Sequence, residues 1–158
     1  MPKNNLVRMM QLAEDFFATK KDPSQISIDR KVMLRLKRIH PNTMTEKSTS
    51  KGPIAWILVI PTTHTLMEQF ITSKITEREL LKKNPLRVKY DSIYLCSALV
   101  LPEYRGRGLA KSLMIKAIKS IQKEHPITCL FYWALSNEGK KLAASVAKEF
   151  SLPLYERI

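Results

Sequence analysis

The chain has 158 residues and a mass of 18.2 kDa, a size that indicates one domain. Hydrophobic residues make up 44% and charged residues 26% of the chain, a balance that excludes wholesale disorder. The 27 lysines and arginines outnumber the 14 acids, and the net charge of +13 indicates an anionic ligand or partner, such as nucleic acid, anionic lipid or a phosphorylated cofactor.

The two cysteines, Cys96 and Cys129, are too few for a disulfide framework or a four-cysteine zinc site. Both lie in apolar runs, so we expect reduced core thiols in a cytoplasmic protein that binds no metal. The longest unbroken apolar run, Ile54–Pro61, is far shorter than the roughly 20 residues of a membrane helix. Glu14 and Asp15 interrupt the apolar pattern of the N-terminus, so the sequence predicts neither a secretory signal nor a membrane partner.

Apolar residues at helical spacing predict two helices in the first part of the chain, at 4–19 and 24–39. The second predicted helix carries basic residues off its apolar face and ends at Pro41. Residues 42–53 are rich in Thr, Ser and Lys and close with a Gly-Pro pair. That composition predicts a mobile loop.

Apolar runs alternate with amphipathic stretches in the rest of the chain, which predicts strands and helices in turn. The predicted strands are Ile54–Ile60, Ile93–Leu101, Ile127–Ala134 and a short terminal strand within Leu152–Ile158. The predicted helices are 63–83, with Glu77, Arg78 and Glu79 exposed, 105–123 and 137–149, the last opened by Ser136 or Asn137 as a cap. This order indicates an α/β domain in which helices cover the sheet.

Two closely spaced glycines lie in the segment 104–112, which reads Tyr-Arg-Gly-Arg-Gly-Leu-Ala-Lys-Ser and joins an apolar strand to a helix. The unpaired N–H groups of a first helical turn and the helix dipole favour an anion, and Arg105, Arg107 and Lys111 add positive charge. Pyrophosphate is the ligand that this arrangement predicts. A Walker A loop does not fit because Ala110 replaces its second glycine, and a dinucleotide fingerprint does not fit because Lys111 replaces its third.

The same segment resembles the acyl-CoA pyrophosphate loop of the GNAT superfamily of N-acetyltransferases. That loop has the pattern Q/R-x-x-G-x-G/A, which Arg105, Gly108 and Ala110 satisfy. The resemblance is closest over residues 93–150 and weak before residue 52. It implies a single acyltransferase-like domain over residues 1–158, with a mixed central sheet, helices on both faces and splayed parallel strands at the CoA site.

The resemblance implies acetyl-CoA as co-substrate and direct attack by an amine, without a covalent enzyme intermediate. The residues that it implies for cofactor binding are Leu99, Val100, Leu101, Arg105, Gly106, Arg107, Gly108, Leu109, Ala110, Lys111 and Asn137. Cys96–Leu101 and Cys129–Ala134 would be the splayed strands that hold the pantetheine arm. A backbone N–H near Leu99 or Val100 would polarise the thioester carbonyl. Asn137 could bind the arm, cap the helix or do both.

The general acid and base stay open. Many family members carry a tyrosine in the helix that follows the asparagine, whereas the segment 139–150 has none. The candidates that remain are Tyr132, Tyr155, Ser145 and Glu103. The tyrosines fit packing roles as well, a serine is a poor acid, and Glu103 lies in a loop where it could be only solvated.

The sequence is compatible with three functions. The first is an N-acetyltransferase that moves an acetyl group from acetyl-CoA to a primary amine on a small molecule or a protein. The second is a GNAT-like module that binds CoA or a protein with weak catalysis or none, which the missing tyrosine favours. The third, a basic nucleic-acid-binding protein, has no recognisable nucleic-acid motif to support it.

The two ends of the chain depart from the family pattern. The N-terminal region, residues 1–51, is expected to be helical and to lie on the substrate side of the molecule. After the last predicted helix only 151–158 remain, where the family usually continues with two strands. Either the sheet is short, or a second protomer in a homodimer supplies an edge.

Overall fold

The computed structural model describes residues 4–18, 29–133 and 136–158. Within these ranges the chain forms six helices and five strands. In chain order they are α1 (Asn5–Ala18), α2 (Arg30–Ile39), β1 (Met44–Thr49), β2 (Gly52–Thr62), α3 (His64–Ile71), α4 (Glu77–Lys83), β3 (Ser92–Val100), α5 (Leu109–Gln122), β4 (Cys129–Tyr132), α6 (Asn137–Phe150) and β5 (Leu154–Glu156). A short 3-10 turn, Pro102–Tyr104, lies between β3 and α5.

The five strands form one mixed sheet in the order β1-β2-β3-β4-β5. The first three strands are antiparallel neighbours, and β3, β4 and β5 are parallel. The parallel part follows from the connections, because α5 and α6 carry the chain back to the starting edge before the next strand begins. The α/β class, the mixed sheet and the parallel strands predicted from the sequence are confirmed.

Helices cover both faces of the sheet. On one face, Phe70 of α3 packs against the stacked rings of Tyr94 and Phe131, and the centroids of those two rings are 5.2 Å apart. α1 covers the same face further along, where Met9 packs on Ile54 with Leu99 and Leu101. α5 and α6 pack on the other face and bury the apolar residues Leu113, Met114, Ala117, Ile118, Ile121, Ala143, Val146 and Ala147.

The prediction of a mobile loop over residues 42–53 is wrong. This stretch contains β1, which pairs with β2 as an antiparallel hairpin from Met44 to Thr49. Four of the six residues of β1 are exposed, because it is the edge strand of the sheet. An exposed edge strand keeps polar residues on both sides, so its sequence resembles that of a loop. The predicted helical region 1–51 therefore includes a strand.

The single helix predicted over 63–83 is also wrong, because the segment forms α3 and α4. Ser73 has a left-handed φ of 62°, which ends the first helix. Thr76 and Glu79 then form a capping box that starts the second. Glu77, predicted to be exposed, is only 6% exposed.

The other predicted elements are present with shifted ends. Helix 105–123 begins at Leu109, and the terminal strand spans Leu154–Glu156. The helix predicted over 24–39 is α2 from Arg30 onward, and its positions 24–28 lie outside the described residues. Ala134, the last residue of the predicted third strand, also lies outside them.

Candidate active site

β3 and β4 separate halfway along β3. In the part of the chain that the structure describes, the two strands pair only from Ser92 to Leu95 of β3, although β3 continues to Val100. At the point of separation β3 has a bulge, because Leu95 and Ser97 pair with adjacent residues of β2 and Cys96 lies between them as the extra residue. A bulge bends its strand and increases the local twist. The last five residues of β3 therefore diverge from β4, and a gap opens between the two strands.

A cavity of about 970 Å³ occupies this gap. β3 contributes the stretch 95–100 to its wall, and the loop and first turn of α5 contribute residues between Tyr104 and Lys111. The end of β4 and the start of α6 form the opposite wall, and Leu12, Asp15 and Phe16 of α1 close one side. The cavity thus extends from the α5 side of the sheet to the α1 side.

Backbone groups of β3 that face the gap are identified by the hydrogen bonds at the end of the strand. Leu101 N–H donates to Ile54 O over 2.9 Å, so this group faces β2. Val100 O instead accepts from Arg105 Nε over 3.0 Å, on the gap side. Because directions alternate along a strand, Ala98 and Val100 present their N–H groups to the gap, whereas Leu99 directs its N–H to β2. Leu101 is buried under α1 and is not part of the cavity wall.

The loop before α5 has the backbone of an anion site. Gly106 and Gly108 have left-handed φ values of 78° and 73°, which glycine adopts without strain. Gly108 is the N-cap of α5 and provides no side chain to pair with the N–H groups of the first turn. A Cβ added to either glycine would have no other atom within 4 Å, so open space lies in front of both.

Positive charge is distributed unevenly around this loop. Lys111 is half-buried and lines the cavity, so its ammonium is placed to meet an anion there. The guanidinium of Arg105 is tied to the end of β3, and that of Arg107 lies over the Tyr104 ring at 5.2 Å from its centroid, outside the cavity wall. No acid occurs in α5 to oppose this charge.

Ser136 caps α6. Its Oγ accepts from Gly139 N–H over 3.0 Å. Asn137 is the first helical residue, is exposed and lies beside the cavity wall, to which Ser136 and Glu138 belong. The N-cap hydrogen bond is therefore made by Ser136 and does not use the side-chain amide of Asn137.

The four candidate acid or base residues fall in different places. Tyr132 lines the cavity, and burial, followed by Glu156, raises the pKa of its hydroxyl. Tyr155 is 41% exposed and Ser145 lies in α6, and neither belongs to the cavity wall. Glu103 forms a two-bond ion pair with Arg8, at 2.6 and 2.8 Å.

That ion pair decides the protonation of Glu103. The hydrogen bond from Arg8 is the largest cause that lowers the Glu103 pKa to about 2. A carboxylate with so low a pKa is a weak base near neutral pH. Glu103 therefore fastens α1 to the turn after β3 and is poorly suited to accept a proton from an amine.

Sequence reasoning missed a group of side chains at the bulge. Cys96, expected in the core, is half-buried and lines the cavity. Its Sγ donates to Glu77 Oε2 over 3.8 Å, and the Tyr94 hydroxyl donates to the same oxygen. Burial raises the Tyr94 pKa well above its usual range, so this hydroxyl stays protonated. The capping-box pattern of Thr76 and Glu79 could have signalled a helix start at Glu77.

Three potential metal ligands lie close together at the far end of α5: His40, Glu124 and His125. His40 Nδ1 accepts from Asn42 N–H, and His125 Nδ1 accepts from Tyr90 N–H. An imidazole whose Nδ1 accepts a hydrogen bond carries its proton on Nε2. The Nε2 atoms then have no lone pair for a metal, and His40 Nε2 has Glu124 as its partner at 3.2 Å. Three of the four ring nitrogens are therefore already used in hydrogen bonds.

The loop, the gap and the mixed sheet define the class of protein. Residues 43–149, more than half of the chain, match the family model described as "Acetyltransferase (GNAT) family". The chain belongs to this family. The match begins 50 residues before position 93, where the sequence resemblance was closest, and includes the β1–β2 hairpin.

Solved structures share the fold. An aminoglycoside acetyltransferase from an uncultured soil metagenomic sample, in complex with sisomicin, is 14% identical with a TM-score of 0.51, and the match covers 89% of this chain and 78% of that one. Chaetomium thermophilum Naa20, in complex with a bisubstrate analogue, is 12% identical with a TM-score of 0.54, and the match covers 90% of this chain and 64% of that one. Identities this low establish the fold alone. No curated protein matches the sequence significantly.

Within the described residues, the helices are all too short or too polar to cross a bilayer.

Proposed function

We propose that the protein is an acetyl-CoA-dependent N-acetyltransferase that transfers the acetyl group directly to a primary amine. The observation that carries the proposal is the position of the loop 106–111 at the mouth of the gap between β3 and β4. The pyrophosphate would bind the N–H groups of this loop and Lys111, and the pantetheine arm would extend along β3. Asn137 would bind the arm from the opposite wall.

The chemistry at the thioester uses the free backbone of β3. Attack on the carbonyl carbon places negative charge on its oxygen, and a strand N–H that faces the gap can stabilise that charge. Ala98 and Val100 have N–H groups in this direction, so one of them is the proposed donor. Tyr132, the one sequence candidate in the cavity wall, would protonate the departing thiolate.

The acceptor would enter from the α1 side of the cavity. Phe16 and Trp133 provide aromatic surface in its wall, and Asp15 provides a carboxylate. Such a wall suits a cationic amine despite the net charge of +13. Small-molecule amines and protein amines are both candidates, and one structural neighbour, an aminoglycoside acetyltransferase, was solved with the small-molecule amine sisomicin. We place the protein in the cytoplasm, where free thiols such as Cys96 and Cys129 persist.

Calorimetric titration with acetyl-CoA at near-physiological salt, with ATP as control, tests the cofactor site. We expect selective one-to-one binding of acetyl-CoA. Gly108→Ala should weaken it at least tenfold, since a methyl group at φ 73° strains the loop and enters the space proposed for pyrophosphate. Gly52→Ala is the control for backbone strain alone, because Gly52 also has a left-handed φ, 111°, but lies at the start of β2 and outside the cavity wall. Equal acetyl-CoA affinity in folded Gly108→Ala and Gly52→Ala proteins would contradict the proposed site.

Release of CoA thiol separates the enzyme from a module that only binds CoA. The proposed acceptors to screen are sisomicin, spermidine and a peptide with a free N-terminal amine. The missing tyrosine in α6 favours the binding module, which predicts acetyl-CoA binding with no thiol release above the hydrolytic background. A nucleic-acid-binding protein predicts instead that any polyanion binds and that binding weakens steeply with salt.

A further inference from the structure

A buried carboxylate lies behind the wall of the cavity. Glu77 is 6% exposed, although it is the first residue of a short surface helix. A carboxylate removed from water needs hydrogen bonds, and Glu77 Oε2 accepts them from the Tyr94 hydroxyl and the Cys96 thiol. Arg157, whose guanidinium packs on the rings of Phe70 and Trp133, acts electrostatically on Tyr94. Glu77 is therefore a proton acceptor that is shielded from solvent.

Cys96 connects this carboxylate to the cavity. Cys96 is the extra residue of the bulge, at the point where β3 and β4 separate. Its side chain is half-buried and belongs to the cavity wall, and its Sγ is 3.8 Å from Glu77 Oε2. Glu77 itself is not part of that wall. A proton from a molecule in the cavity can thus reach Glu77 through the thiol.

We propose that Cys96 and Glu77 form a proton relay that deprotonates the attacking amine. The inference rests on the proposed acetyl transfer and names the base that the sequence left open. Cys96 is the catalytic residue of this relay, because its sulfur would contact an amine bound in the cavity. Glu77 is a positioning residue that acts through Cys96, and Tyr94 holds the Glu77 carboxylate in place.

The amine enters as an ammonium and gives one proton to Cys96 Sγ, while the Sγ proton passes to Glu77 Oε2. The nitrogen lone pair forms a C–N bond with the carbonyl carbon, the C–S bond breaks, and its electron pair leaves with the CoA sulfur. Tyr132 gives its proton to that sulfur and takes up the second nitrogen proton, and Glu77 later returns its proton to solvent through Cys96. The products are an amide, CoA thiol and one proton.

Alkylation of the wild-type protein by iodoacetamide tests the position of Cys96 without any amine. We expect Cys96 to react and saturating acetyl-CoA to slow the reaction at least fivefold. Cys129 is an internal control, because it is 4% exposed and hydrogen-bonded to Ser92, so it should stay unmodified in the folded protein. Bound acetyl-CoA that leaves the Cys96 rate unchanged would overturn the proposal, since the thiol would then lie away from the thioester.

Glu77→Gln tests the contact between carboxylate and thiol. The amide can still accept from Tyr94, but it removes the negative charge beside Cys96. The thiolate is the reacting form, so Cys96 should alkylate at least threefold faster at pH 7.5, with its rate profile moved to lower pH. Glu68→Gln, an exposed carboxylate of α3, is the matched control and should change neither quantity. An identical profile in Glu77→Gln and wild type would refute the relay.

Turnover completes the test, with the fastest of the three screened amines as acceptor. Cys96→Ala and Glu77→Gln should lower kcat about 100-fold or more, the usual scale of acid–base catalysis, with acetyl-CoA affinity within twofold of wild type. Cys96→Ser should recover part of the rate, because a hydroxyl can also pass a proton. A wild-type rate in Cys96→Ala would reject the relay and leave acetyl transfer intact. A wild-type protein that neither binds acetyl-CoA selectively nor releases thiol would reject both.

Discussion

Ser136 and Asn137 are adjacent at the start of α6, yet their side chains have different surroundings. Ser136 Oγ accepts from the backbone of Gly139, so the serine pairs a donor that the helix itself cannot pair. Asn137 is exposed at the first helical position, and its amide is available to a ligand beside the cavity. The two residues can therefore be separated by substitution.

Ser136→Ala should lower the free energy of unfolding by about 1 kcal/mol, the usual loss for an N-cap. Asn137→Ala should leave stability unchanged and weaken acetyl-CoA binding about fivefold, the equivalent of one neutral hydrogen bond. Urea denaturation and calorimetric titration of both variants measure these effects. If Asn137→Ala binds acetyl-CoA as wild type does, the amide does not contact the pantetheine arm.

At the scale of secondary structure elements, one ion pair fixes the position of α1. Arg8 donates to both carboxylate oxygens of Glu103, at 2.8 and 2.6 Å, and so connects α1 to the turn that follows β3. Leu12 and Phe16, one and two turns further along α1, line the cavity. The ion pair therefore helps to hold one wall of the site against the loop that is proposed to bind pyrophosphate.

The stabilisation from Glu103 should depend on pH in a defined direction. The Arg8 guanidinium holds the Glu103 pKa at about 2 in the folded protein, below its usual 4.5. The unfolded chain therefore takes up the proton first as pH falls, so the contribution is complete above about pH 4.5 and disappears toward pH 2. The difference in melting temperature between wild type and Glu103→Gln should be present at pH 7 and shrink below pH 4.

Salt gives an independent check, because both side chains are partly exposed and their attraction is screened. The same difference in melting temperature should shrink in 1 M NaCl at pH 7. Glu149→Gln, an exposed acid of α6, is the control and should show no such dependence. A Glu103→Gln difference that grows on acidification would contradict this assignment.

Sequence patterns predicted the elements in which apolar residues mark a buried face. They were less informative about exposed or irregular segments. β2 and β3 are apolar runs because both faces of each strand are covered, and α5 has a clear apolar side, so all three were visible. β1 was not visible because it is an exposed edge, and its Thr, Ser, Glu and Lys residues have no burial pattern.

The candidate site also has parts that a sequence pattern predicts and parts that it does not. Gly106 and Gly108 have positive φ values that only a few residue types tolerate, so the loop left a readable motif. The bulge at Cys96 has no sequence motif, because a bulge is a property of the register between two strands. The cysteine itself lies in an ordinary apolar run. Composition predicted an exposed Glu77, but the burial of this residue depends on Tyr94 and Cys96 of a strand distant in sequence.

At the scale of the whole molecule, the sheet has two parts joined by a short seam. The antiparallel part contains β1, β2 and β3, and the parallel part contains β4 and β5. Among the described residues, only the pairing of Ser92–Leu95 with Cys129–Tyr132 connects them within the sheet. A ligand that occupies the gap beyond this seam would contact both parts, so binding should stabilise the molecule as a unit.

Acetyl-CoA at 100 times its Kd should raise the free energy of unfolding by about 2.7 kcal/mol. For a domain of this size that corresponds to a rise in melting temperature of roughly 5–11 °C. Amide exchange followed by NMR shows where the ligand binds. We expect additional local protection at Ala98 and Val100, whose N–H groups face the gap, and in the loop 106–111. Amides of the β1–β2 hairpin should gain only the protection that global stabilisation gives.

Gly108→Ala is the control for this measurement, because the variant should lose both the thermal shift and the local protection at the same acetyl-CoA concentration. Leu99 provides an internal comparison within β3, since its N–H faces β2 and is already paired there. A thermal shift without slower exchange at Ala98 and Val100 would mean that acetyl-CoA binds outside the gap. Slower exchange at these two amides but not at Leu99 would place the ligand along the free side of β3, where the thioester must lie for a strand N–H to stabilise the transition state.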